Sequence, residues 1–77
     1  MVPTPDQLRD VLTEILAGAA GGTREEWAAV VGEVTKVPTH PNLHCNWSIE
    51  PRGSKSQLAT VEAAVEIVRG EHPYVSS

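Results

Sequence analysis

The chain has one cysteine, no phenylalanine, and only six Lys and Arg residues against ten Asp and Glu. A lone cysteine, Cys45, cannot close an internal disulfide, so no covalent staple is expected and a reducing compartment is the natural setting. The shortage of basic residues leaves a net charge of −4. That argues against a nucleic-acid partner, which needs a gathered basic face. The charge is also too mild for a mimic of DNA. No apolar run approaches the roughly 20 residues that cross a bilayer. The opening "MVPTPDQLRD" lacks a basic region followed by an apolar core, so no signal peptide is expected. These absences together predict a soluble cytoplasmic protein with no membrane partner.

Seventy-seven residues make a single small domain, 1–77. A chain this short buries only about 60% of the surface its unfolded form exposes. Its stability then leans on a metal, a partner or self-association. An apolar content of 40% is ordinary and argues against disorder.

"TPDQLRDVLTEILAGAAGG" predicts a helix over 5–20. Thr4 is placed to cap, Pro5 suits the first helical position, and Gln7 completes a capping box. Leu8, Val11, Leu12, Ile15, Leu16 and Ala19 recur at helical spacing, with Asp6, Asp10 and Glu14 opposite. Gly21 and Gly22 end the run. A second helix is predicted over 24–34, opened by a Thr23/Glu26 capping box, with Trp27, Val30, Val31 and Val34 on one face. Gly32 and the β-branched residues near it weaken the helix toward its end. Pro38 and Pro41 exclude helix next, and an extended piece at Lys36 and Val37 is a pairing candidate.

"LHCNWSIE" alternates with period two, which predicts a half-buried strand over 43–50. Leu43, Cys45, Trp47 and Ile49 face inward; His44, Asn46, Ser48 and Glu50 face outward. Ser54 and Gln57 form a third capping box for a helix over 55–69, which Gly70 stops, leaving a tail over 71–77. On this helix Leu58, Val61, Val65 and Val68 form one apolar face. Ala59, Ala63 and Ile67 carry apolar character round the other side, and Glu62, Glu66 and Arg69 share a narrow polar stripe. A helix apolar nearly all round needs cover on more than one side. Either it is central, or another chain covers it. The fold class expected is α+β, with three helices packed on a short strand or two-stranded antiparallel hairpin, in the order α-α-(β)-β-α.

The segment "HPNLHC" concentrates the side chains able to bind metal. His40 and His44 are four apart, a chelating spacing only on a helix, and the prolines deny one. His44 and Cys45 are neighbours on a strand and point to opposite faces. Structural zinc takes four ligands, usually with a short-spaced cysteine pair, which is missing. A set of His40, His44 and His72 is the remaining metal candidate. Cys45 as a nucleophile needs an exposed position and a base; its apolar neighbours indicate burial. In "PRGSKS", Arg52, Gly53, Ser54, Lys55 and Ser56 sit at a predicted helix start, where free N–H groups suit an anion. The phosphate-loop pattern is absent, because its earlier glycine position holds Ser48.

No catalytic constellation, cofactor or metal is therefore expected. The Ala- and Val-rich composition resembles that of small proteins from high-GC bacteria or their phages. The function expected is a non-enzymatic protein–protein interaction module: an adaptor, or an inhibitor of a larger bacterial or phage machine in the style of anti-CRISPR or immunity proteins. Its partner face is Ala59, Ala63, Ile67, Glu62 and Glu66, covered by another protein or by a second copy in a homodimer. The alternative is a small anion- or metal-binding protein using the 52–56 helix start or His40 and His44.

Overall fold

Thr4 starts the first helix as its spacing predicts. The Thr4 N–H donates to Gln7 Oε1 at 2.9 Å, and the Gln7 N–H donates back to Thr4 Oγ1 at 3.1 Å. Two of the four orphan donors at the helix start are satisfied in this way. The computed structural model describes residues 2–37 and 46–76. Its elements are α1 (Pro5–Ala20), α2 (Arg24–Val31), β1 (Thr35–Lys36), β2 (Trp47–Ser48) and α3 (Lys55–Glu71), in the order α-α-β-β-α. The fold is α+β: three helices and a two-stranded antiparallel hairpin.

Helix α1 is the centre of the molecule and packs against both α2 and α3. Leu8, Leu12 and Leu16, at helical spacing, are fully buried. Gly21 caps its end, donating its N–H to the Ala17 carbonyl. The Trp27 indole N–H then reaches back to the Gly21 carbonyl at 2.8 Å, locking α2 against the end of α1. Arg9 crosses the same interface, donating from Nη2 to the Ala28 carbonyl at 2.8 Å.

Helix α2 corrects two expectations. Only half of the Thr23/Glu26 box is made: Thr23 Oγ1 accepts from the Glu26 N–H, and Glu26 does not return the bond. The helix ends at Val31, three residues before the predicted Val34. Gly32, at φ 71° and ψ −152°, adopts a backbone conformation essentially closed to other residues, and this turns the chain out of the helix. Val34 is still buried, now from outside the helix.

β1 and β2 pair with Thr35 opposite Ser48 and Lys36 opposite Trp47. The Val37 N–H adds a bond to the Asn46 carbonyl at 2.7 Å. Of the strand predicted over 43–50, residues 43–45 lie outside the described residues, and within the described part only Trp47 and Ser48 are strand. Trp47 is buried and Ile49 half-buried, as the alternation predicts, but Asn46 is buried rather than outward.

The tail explains Asn46. Its side chain donates to the Val75 carbonyl at 3.0 Å and accepts from the Val75 N–H at 2.7 Å. Its own N–H donates to the Pro73 carbonyl. The Trp47 indole N–H donates to the His72 carbonyl at 2.8 Å, and the Ser76 N–H donates to the Pro3 carbonyl. The tail thus runs alongside β2 and seats Val75 in the core. α3 also runs on past Gly70, which does not stop it, to Glu71. Its end is set by His72, held by Trp47, and by Pro73, which has no N–H to continue the ladder. Among the described residues no helix is long and apolar enough to cross a membrane.

Candidate functional site

The surface with most chemistry to offer is the side of α3 turned away from α1. Ser54 builds the start of this helix. Its Oγ accepts from the Gln57 N–H at 3.1 Å, and its N–H donates to Gln57 Oε1 at 2.9 Å. Gly53 makes room for that closure, since a Cβ there would lie 2.5 Å from Gln57 Oε1. Val61, Ala64, Val65 and Val68 then turn into the core, and Leu58 is half-buried. The inner face is thereby satisfied within the chain.

The outer face is not. Ser56, Ala59, Ala63, Ile67 and Gly70 are all exposed, and all fall within about 40° of Ala63 at 100° per residue. Ile67 keeps 55% of its surface in water. A solvated helix normally places charge along this line; here the charges stand to the sides. Glu62 and Glu66 are exposed along one flank. With Ala63, Val65 and Arg69 they line a depression of about 350 Å³. A second, of about 200 Å³, is lined by Ile49, Pro51, Val61, Glu62, Val65 and Arg69. The two share Glu62, Val65 and Arg69, so together they form one groove of mixed character, with Val61 and Val65 buried and Glu62, Glu66 and Arg69 exposed. Arg69 lines both depressions, its guanidinium 5.2 Å from the centre of the Trp47 ring, a cation–π contact.

All five residues of the expected partner face, Ala59, Ala63, Ile67, Glu62 and Glu66, lie on this one exposed side of α3. The groove walls Ile49 and Pro51 come from the segment after β2, and no periodicity within α3 could have pointed to them.

The anion candidates Arg52 to Ser56 are exposed. Ser54 Oγ is engaged by the Gln57 N–H. The Arg52 N–H donates to the Val30 carbonyl, and its side chain shares a depression of about 310 Å³ with Glu33, Thr35 and Glu50. Two carboxylates beside the arginine give that depression a mixed character. His40, His44 and Cys45 lie outside the described residues, and His72 ends α3. Among the described residues no group of three His, Cys, Asp or Glu side chains is placed to hold a metal ion. No family model, curated protein or solved structure matches this chain.

Proposed function

We propose that this chain is a non-enzymatic protein–protein interaction module, a cytoplasmic adaptor or inhibitor of a larger protein machine, acting through the outer face of α3. The observation that carries this reading is Ile67, 55% exposed in a line of small residues. A single exposed aliphatic residue on a protein surface is ordinary. A helix-long line without charge, beside a groove, is what a docking face needs. Small side chains let a partner approach closely, and a central aliphatic anchor with flanking charges supplies grip and orientation.

The test compares the tagged wild-type chain with Ile67→Arg and Ala63→Arg in capture from lysate of the native host, together with thermal unfolding of each. Both side chains point into water, so both variants keep the wild-type unfolding midpoint. The expected result is that proteins held by the wild type are lost from both variants. Equal capture by stably folded variants counts against the reading.

A further inference from the structure

We infer that the outer face of α3 is built to pair with a second copy of itself, the two helices running antiparallel about Ala63. This rests on the reading of that face as an interaction surface, and it seats a second copy of the chain there in place of a different protein. The argument is the order of five residues. Lys55, Ala59, Ala63, Ile67 and Glu71 follow one another at intervals of four, and every one is exposed. Residues four apart on a helix form a ridge along its surface, inclined about 26° to the axis. The sequence along this ridge is complementary to its own reverse. Turned end for end about Ala63, a second copy sets Ile67 of each chain over Ala59 of the other, large against small. Ala63 meets Ala63, where the absence of bulk allows close approach. Lys55 at the start of one helix comes to Glu71 at the end of the other, twice over.

A parallel arrangement does the opposite. It stacks Lys55 on Lys55, Glu71 on Glu71 and Ile67 on Ile67. Charge and size therefore choose the antiparallel pair. Glu62 and Glu66 of both copies stand at the exposed rim, where water and salt screen their repulsion. The Lys55–Glu71 contacts are rim contacts as well, so they set orientation more than strength.

Sedimentation equilibrium on the full chain, from micromolar to millimolar concentration in chelator-containing buffer, tests this. The expected result is a mass that rises with concentration to twice the 8.3 kDa of one chain, and Ile67→Arg holding at one. Lys55→Glu alone and Glu71→Lys alone each raise the dissociation constant about threefold or more, and the double variant returns it to the wild-type value. Both substitutions place a charge that the local helix dipole favours, so weakened association is not a folding defect. The pairing is overturned by a chain that stays at 8.3 kDa throughout, by a dimer that survives Ile67→Arg, or by a double variant that fails to restore association. A chain that stays single while Ile67→Arg still releases captured proteins overturns the self-pairing and leaves the broader interaction reading standing.

Discussion

Asn46 does with one side chain what a strand does with backbone. Its amide presents a donor and an acceptor side by side, and Val75 takes both. Both bonds are buried, where an unmet polar group costs about 1–3 kcal/mol. Asn46→Ala strands the Val75 N–H and carbonyl together. A loss of about 2–4 kcal/mol is therefore expected, read as a lower urea midpoint at unchanged slope. A chain of this size holds roughly 4–12 kcal/mol in all, so that loss is a large share. Trp47 is anchored in a similar way. Its ring is buried, its N–H holds the His72 carbonyl, and Arg69 covers it from outside. The alternation around "LHCNWSIE" pointed Trp47 inward correctly. It assigned Asn46 outward because period two knows only two faces and takes no account of a third segment lying beside the strand.

The helices show where local chemistry is decisive. Thr4 with Gln7 and Ser54 with Gln57 close full capping boxes, and the starts of α1 and α3 fall at the predicted residues. Ser54→Ala removes one of these caps and is expected to cost about 1 kcal/mol in chemical denaturation. Because the cap also sets the path of the chain into α3, Lys55 should broaden in the NMR spectrum of that variant while α1 is unchanged. Helix ends were less legible than starts. Gly32 stopped α2 early, whereas Gly70 stopped nothing. The difference is the backbone each glycine occupies: Gly32 has a positive φ, while Gly70 remains helical because the bonds at His72 hold the next turn in place. A glycine permits a stop, and the surrounding contacts determine whether one occurs.

At the scale of the whole molecule, the tail ties the two ends of the chain together. Val75 fills a core position and Ser76 reaches Pro3. Deleting residues 74–77 removes the burial of Val75, about 1.5–3 kcal/mol by itself, and takes both Val75 partners from the Asn46 side chain. The truncated chain should unfold at clearly lower urea. Combining the deletion with Asn46→Ala should cost less than the two losses added, because both remove the same two bonds. Additive losses would show that Asn46 stabilises the fold by some route other than the tail. The outer face of α3 lies on neither side of this contact, so the association of the truncated chain serves as an independent check on its folding.

Most of the architecture can be read from residue order. Helical spacing of Leu8, Leu12 and Leu16, caps at Thr4, Thr23 and Ser54, and alternation around Trp47 point to three helices and a short strand in this order, because each pattern satisfies its backbone and apolar groups locally. The apolar excess on Ala59, Ala63 and Ile67 was legible too, but not its meaning. Spacing along one helix cannot say which helix lies at the centre. Packing made α1 the central element and left the far side of α3 in water. The seat of Val75 on Asn46, and the groove that Ile49 and Pro51 complete, likewise depend on segments distant in the chain. Such contacts leave no periodic trace, because only the folded chain brings those residues together.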